Sequence, residues 1–216
     1  VAANSTGTGS ARLSLAATSY GSSGQAIFAY GIQSGTSVNK SNKVSNTGGV
    51  SSDTSGVGTA RHELGASPFG GDKGIFAFGY SNTVGSNQNV SNIVSNTGVI
   101  SSDQSGVGTA RGGLAAAQFG DRCIFGYGAG GGPSNLVSNT GVVASDVSIV
   151  GTGRIGVAGA PYGGTKGLFA FGANGTTYYA MSNLVSTSGV IASDTSAVSG
   201  VTIRAQVNGA GYSISA

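Results

Sequence analysis

The chain has 216 residues, including 41 glycines, ten Lys or Arg and seven Asp or Glu, and its formal net charge is +3. An apolar content of 38% with so small a net charge argues against disorder, and abundant glycine without a three-residue period excludes collagen. Lys and Arg are scattered, so nucleic acid is not an expected partner, and no apolar run is long enough to predict membrane insertion.

One segment of about eighteen residues recurs along the chain. Residues 1–12, VAANSTGTGSAR, match its last twelve positions, and residues 185–204 carry two additional residues before the arginine. The other three copies are VSNTGGVSSDTSGVGTAR at 44–61, VSNTGVISSDQSGVGTAR at 94–111 and VSNTGVVASDVSIVGTGR at 137–154.

An arginine marks the same place in each copy. The spacings between successive marker arginines are 49, 50, 43 and 50 residues. A period in this range is typical of solenoids and propeller blades. The marker residues are Arg12, Arg61, Arg111, Arg154 and Arg204. We therefore predict a single repeat domain over 1–216, with units at approximately 13–61, 62–111, 112–154 and 155–204.

Within a unit the sequence predicts four short strands and no helix. In the central copy these are 93–95 and 99–102 around an Asn-Thr-Gly turn, then a small-residue strand at 114–118 and an aromatic strand at 123–127. Asn and Gly suit a tight hairpin because both tolerate positive φ. Small residues in one strand opposite aromatics in the next favour face-to-face stacking of sheets.

Four short antiparallel strands in about 48 residues match one blade of a β-propeller. The expected fold is all-β, a propeller of about five blades. Its ring would be closed by pairing of the N- and C-terminal segments, with 1–12 and 205–216 completing the closing blade. A β-solenoid is the alternative architecture.

Each full unit also carries an aspartate at one repeated position. The aspartates are Asp53, Asp103, Asp146 and Asp194. One interpretation is a ring of charges that binds a ligand or a cation. The favoured one is structural: Asp caps the turn, and Arg ties adjacent blades together. Identical residues in every blade favour the structural role, because one asymmetric ligand would not need several copies.

The remaining chemically distinctive residues predict no catalytic or metal site. His62 is the single histidine and Glu63 the single glutamate, so a multi-histidine metal site or a paired-glutamate active site cannot form. We expect His62 to be an exposed residue at a strand start. Cys123 lies in an apolar strand and is expected to be a buried hydrophobe. No cofactor and no enzymatic activity are predicted.

The copies differ most in the loops after the aromatic strand, at 32–42, 80–92, 129–135 and 173–183. Binding residues are often carried by variable loops over a constant frame. The large aromatics in these loops are Tyr80, Tyr178 and Tyr179, which we consider candidate ligand-binding residues. The alternative is that they fold back onto the blade.

The order of arginine, small apolar run, Tyr-Gly or Phe-Gly, apolar strand and Asn-x-Val resembles a kelch-type blade, although the kelch tryptophan and paired glycines are absent. The repeats resemble more closely the Gly/Ser/Thr-rich repeat proteins of bacteriophages. This resemblance implies a virion or extracellular location in a tail or fibre, with other virion proteins and a host cell-surface glycan or protein as partners. The alternatives are a purely structural decoration or assembly protein and a soluble multivalent lectin.

Overall fold

The computed structural model of the protein describes residues 8–197 together with Ile203, Arg204 and Gly209. These residues form short antiparallel strands and one 3-10 turn, Ala129–Gly131. The all-β fold class is confirmed. None of the described helical residues forms a segment long and apolar enough to span a membrane.

The strands are two to five residues long. In chain order they are β1 (Ala16–Tyr20), β2 (Gln25–Ala29), β3 (Ile32–Gln33), β4 (Thr36–Ser37), β5 (Ser41–Val44), β6 (Gly65–Phe69), β7 (Lys73–Ala77), β8 (Tyr80–Ser81), β9 (Ser86–Asn87), β10 (Ser91–Val94), β11 (Ala115–Phe119), β12 (Arg122–Gly126), β13 (Asn135–Val137), β14 (Ala158–Tyr162), β15 (Lys166–Ala170), β16 (Ala173–Asn174), β17 (Thr177–Tyr178) and β18 (Ser182–Val185).

Each repeat contributes one three-stranded sheet. The first is ordered β1-β2-β5, the second β6-β7-β10, the third β11-β12-β13 and the fourth β14-β15-β18, with the aromatic strand in the middle each time. The variable loops of three repeats form small hairpins, β3–β4, β8–β9 and β16–β17. The loop of the third repeat contains the 3-10 turn instead.

The aromatic strands end one residue earlier than the sequence predicts. The final aromatic residues adopt left-handed backbone conformations, with φ between 62° and 67°, and therefore cannot continue an extended strand. Each is followed by a glycine with φ between 104° and 108°. These aromatic residues are Tyr30, Phe78, Tyr127 and Phe171.

The strand predicted at 99–102 is reduced to isolated bridges, Val94 with Ile100 and Ser91 with Gln104. Between these bridges, polar side chains interrupt the backbone ladder. The Asn92 amide nitrogen donates to the Ser101 carbonyl at 3.0 Å, and the Ser101 hydroxyl accepts from the backbone nitrogen of Ile93 at 2.9 Å. Asn and Ser compete in this way with regular strand pairing. Equivalent bridges occur in the other three repeats.

Three buried apolar clusters fill the spaces between consecutive sheets. We call the side of a sheet toward the preceding sheet its back face and the opposite side its front face. Phe119 and Ile124 on the front face of the third sheet pack against Phe169 and Val185 on the back face of the fourth. Gly126 permits this approach, because a Cβ there would lie 3.1 Å from the Phe169 ring.

The sheets contact one another in chain order, first with second, second with third and third with fourth. Within the described part of the chain they form no closed ring. The segments predicted to close a ring, 1–12 and 205–216, lie largely outside the described residues.

Candidate functional site

Three of the five marker arginines, Arg61, Arg111 and Arg154, lie at junctions between consecutive sheets. Arg111 is fully buried, and its Nε donates to the Tyr127 carbonyl at 2.9 Å. Its Nη1 donates to the Thr109 carbonyl at 3.1 Å and its Nη2 to Asn135 Oδ1 at 2.8 Å. The guanidinium carbon lies 4.0 Å from the centre of the Phe78 ring in the preceding sheet. One side chain therefore fixes two sheets, and burial lowers its pKa to about 10.

The same arrangement recurs at the neighbouring junctions. Arg61 contacts the Phe78 carbonyl and Asn92 and covers the Tyr30 ring at 4.2 Å. Arg154 contacts the Phe171 carbonyl and Asn183 and covers the Tyr127 ring, also at 4.2 Å. Arg204 lies 6.0 Å from the centre of the Phe171 ring.

The repeated aspartates complete these junctions. Asp103 accepts hydrogen bonds from the Thr59 backbone nitrogen at 2.9 Å, the Thr59 hydroxyl at 2.6 Å and the Asn92 amide at 2.9 Å. Its carboxylate lies 3.9 Å from Arg61 Nη1. Partial burial opposes ionisation, but the bonds from Thr59 and Asn92 outweigh it and lower the pKa of Asp103. Asp103 therefore joins a loop 44 residues away to its own sheet.

The other three aspartates have corresponding partners: Ser10 and Asn42 for Asp53, Thr109 and Asn135 for Asp146, and Thr152 and Asn183 for Asp194. The pKa of each is lowered. Each carboxylate lies in a separate junction and accepts hydrogen bonds from neighbouring donors. Among the described residues, no three metal-ligating side chains cluster.

Arg12 departs from this pattern. Its side chain is 4% exposed and bonds Asn42 through Nη2, and its Nη1 lies 3.9 Å from Asp53. Its Nε and Nη1 are buried, and neither has a hydrogen-bond partner among the residues that the structure describes. Burial lowers its pKa, and the charge of Asp53 partly offsets this effect.

The three candidate tyrosines are not brought together. Tyr80 lies in β8 beside the second sheet, half-buried, with its ring centre 5.6 Å from that of His62. Tyr178 ends β17 beside the fourth sheet and is 51% exposed. Tyr179 is half-buried and pairs through its backbone with Arg204. Tyr178 is therefore the one of the three whose ring is largely accessible.

The expectation that His62 is exposed is wrong. His62 is 7% exposed, and its Nδ1 lies 3.0 Å from the Ser37 hydroxyl of the preceding repeat. Stacking of the β3–β4 and β8–β9 hairpins covers it, and local sequence does not reveal this stacking. Burial lowers the pKa of His62, and the charge of Glu63 partly offsets this effect.

Cys123 is buried as predicted from its apolar strand. Burial raises the pKa of its thiol to about 12, although a hydrogen bond involving Ser67 partly offsets this effect. The low thiolate fraction and the lack of solvent access both argue against a nucleophilic or redox role.

The asparagine and threonine members of the junctions were not predicted. A signal was present, because every full copy contains Ser-Asn-x-Val before the turn and three copies contain Gly-Thr-Ala or Gly-Thr-Gly directly before the arginine. The junction residues are Asn42, Asn92, Asn135 and Asn183 with Thr59, Thr109 and Thr152.

No protein-family model matches the chain, and comparison with curated proteins also gives no match. The resemblance to bacteriophage repeat proteins therefore stays a prediction from the residues.

Proposed function

We propose that the protein is a non-enzymatic bacteriophage virion or tail-fibre module. It recognises a host surface through the variable loops that follow the aromatic strands, at 32–42, 80–92, 129–135 and 173–183. The observation that carries this proposal is the contrast between the uniform stacked sheets and the loops after the aromatic strands, which form hairpins in three repeats and a 3-10 turn in the other. A rigid frame with variable loops is the usual setting for binding residues. The resemblance of the repeats to phage proteins supports a virion or extracellular location.

The proposed architecture is a β-propeller of about five blades, closed by the terminal segments 1–12 and 205–216. The first strands of successive sheets lie against one another, β1 with β6, β6 with β11 and β11 with β14. Innermost strands converge in this way around a propeller axis. In a β-solenoid the strands of successive rungs would pair in continuous sheets, whereas hydrogen bonding here keeps each sheet within one repeat.

Among the residues of the variable loops, Tyr178 is best suited to contact a ligand. Its ring is 51% exposed, and the adjoining residues Asn174 to Thr177 are exposed and uncharged. An accessible tyrosine in such surroundings can stack on a sugar ring or anchor a protein contact. The expected partner is a host cell-surface glycan or protein.

The test is binding of the labelled protein to host cells and to a glycan array. We expect Tyr178→Ala, alone or with Tyr179→Ala, to weaken binding by roughly 30-fold, the effect of losing about 2 kcal/mol at an anchor residue. Val142→Ala is the matched control, because Val142 is an exposed apolar residue of the third repeat, away from the hairpins. Equal binding by both single variants would contradict recognition through this hairpin.

A purely structural role in the virion is the second candidate, and the burial of Tyr80 against His62 favours it. Mass spectrometry of purified virus particles, searched for the peptide of residues 62–73, separates the possibilities. Stoichiometric copies without host binding would favour decoration or assembly. A protein found free in solution, with a glycan-array signal, would favour a soluble multivalent lectin.

A further inference from the structure

The back face of the first sheet is exposed, unlike the same face of every later sheet. Phe28 is 39% exposed, whereas its counterparts Phe76, Phe125 and Phe169 are each 0% exposed. Val50 is 43% exposed, whereas its counterpart Ile100 is 9% exposed. A groove of about 640 Å³ runs along this face, lined by residues that include Phe28, Gly48 and Val50. The face therefore has the composition of an interior surface.

In the second, third and fourth sheets, the back face is covered by an aromatic residue of the preceding repeat. The aromatic residue eight positions after each marker arginine packs against the turn glycine of the next repeat. A Cβ on the glycine would lie 2.6 Å from the Tyr20 ring at Gly98, 2.8 Å from the Phe69 ring at Gly141 and 2.8 Å from the Phe119 ring at Gly189. Gly48 has the same left-handed conformation, φ +82°, but a Cβ there would meet no atom of the described residues within 4 Å.

The environment of Arg12 also marks this face as an interior surface. Arg61, Arg111 and Arg154 each cover a ring of the preceding sheet. Arg12 lines the groove with the same buried guanidinium, but no ring of the described residues lies against it.

The described residues after the fourth sheet begin a fifth repeat. The Arg204 carbonyl accepts a hydrogen bond from the Gly172 backbone nitrogen at 2.8 Å, as the Arg154 carbonyl does from Gly128 at 3.0 Å. A Cβ on Gly209 would collide with the Gly159 carbonyl, and a Cβ on Gly159 would collide with the Ala116 carbonyl. Gly209, Gly159 and Ala116 each lie five residues after a marker arginine, so Gly209 takes the place in the fifth repeat that Gly159 has in the fourth. In this register the aromatic position is occupied by Tyr212, eight residues after Arg204.

We propose that the segment 205–216 covers the back face of the first sheet of the same chain, with Tyr212 packed against Gly48. In the three observed junctions this aromatic residue lies on the front face, directed toward the next repeat. In the ring proposed above, the repeat after the fifth is the first. Tethering favours the same chain over a second copy, because a linked segment has an effective concentration in the millimolar range. The contact rests on the ring arrangement and not on host binding.

The absence of tryptophan from the chain allows a direct test, since Tyr212→Trp introduces a single tryptophan whose emission can be excited selectively over that of the tyrosines. We expect the tryptophan emission of the Tyr212→Trp variant to be blue-shifted and protected from quenching by acrylamide. The Tyr20→Trp variant provides the buried standard, because Tyr20 occupies the same position in the first repeat and packs against the second sheet. Tyr178→Trp provides the exposed standard. Adding Val50→Asp in the groove should shift the emission of the Tyr212→Trp variant to the red, whereas adding Val142→Asp on the third repeat should not.

Emission of the Tyr212→Trp variant equal to that of the exposed standard, or insensitivity to Val50→Asp, would overturn the proposal. Sedimentation velocity over a 100-fold concentration range identifies the chain that supplies the segment. Protected tryptophan emission from a monomer supports contact within one chain. Protected emission that appears only when oligomers form assigns the face to a second copy and overturns the proposal. As a second readout, the Tm losses of Tyr212→Ala and Val50→Asp should be less than additive in the double variant.

Discussion

Replacement of Arg111 by lysine tests the junctions while the positive charge is retained. Arg111 is 0% exposed, donates three hydrogen bonds to protein oxygens and covers the Phe78 ring. A lysine ammonium lacks the planar fork and cannot reach the acceptors on Tyr127, Thr109 and Asn135 together. The substitution leaves buried acceptors unsatisfied in the centre of the stack.

The expected loss follows from these contacts. Two buried acceptors without a donor cost about 1–3 kcal/mol each, and weaker stacking on the ring costs about 1 kcal/mol more. We therefore expect Arg111→Lys to lower the free energy of unfolding by about 3–7 kcal/mol. For a chain of this length, about 1 kcal/mol corresponds to 2–4 °C, so the Tm should fall by roughly 15 °C.

The measurement is urea and thermal unfolding followed by far-ultraviolet circular dichroism. Arg122→Lys is the matched control, because the Arg122 side chain is 40% exposed, stacks on Phe119 and makes one surface hydrogen bond, to the Thr187 carbonyl. We expect this control to lose less than about 1 kcal/mol. If the two variants differ by less than about 1 kcal/mol, the buried arginines do not hold the sheets together as described.

Four further outcomes are expected. The repeated aspartates have lowered pKa values, so they bind fewer protons in the folded state than in the unfolded state. The Tm should therefore be level above about pH 4 and fall as the pH drops below it. A Tm independent of pH from about 5 to 2 would contradict this expectation. His62 should give one imidazole titration by NMR, with a pKa below the ordinary 6.5 that returns to it in urea. The Cys123 thiol should react with a thiol reagent only after unfolding, because it is buried. Gly98→Ala should lower the Tm more than Gly35→Ala: both residues have positive φ, but a Cβ meets the Tyr20 ring only at Gly98. Equal losses would show that backbone strain alone decides both.

The proposed recognition and the stability of the fold depend on different parts of this molecule. Arg61, Arg111 and Arg154 are buried, and the repeated aspartates accept hydrogen bonds within the junctions, so changes there should alter unfolding and affect recognition only through the fold. Tyr178 is exposed on a two-residue strand, so its removal should alter binding with little effect on Tm. Measuring both quantities for both classes of variant separates a recognition module from a purely structural one.

Local patterns in the sequence were sufficient to predict the repeat, the all-β class and most strand positions. Turn glycines, β-branched residues and the alternation of small and aromatic residues act over a few residues, so they can be recognised in the chain itself. The strand predicted at 114–118 is observed at Ala115–Phe119, and the Asn-Thr-Gly turn places Gly98 at φ +73°. The aromatic strands end one residue earlier than predicted, because residues such as Tyr127 adopt a left-handed conformation that depends on packing.

Only the tertiary structure decided what each repeated residue contacts. Asp103 bonds Thr59, and Arg111 covers Phe78, across distances in sequence that no local pattern encodes. His62 is buried because a neighbouring hairpin lies over it, and Phe28 is exposed although its counterparts are not. The physical reason is the same in each case: burial and hydrogen bonding are properties of the junction between two sheets, and identical residues differ when the neighbouring sheet differs.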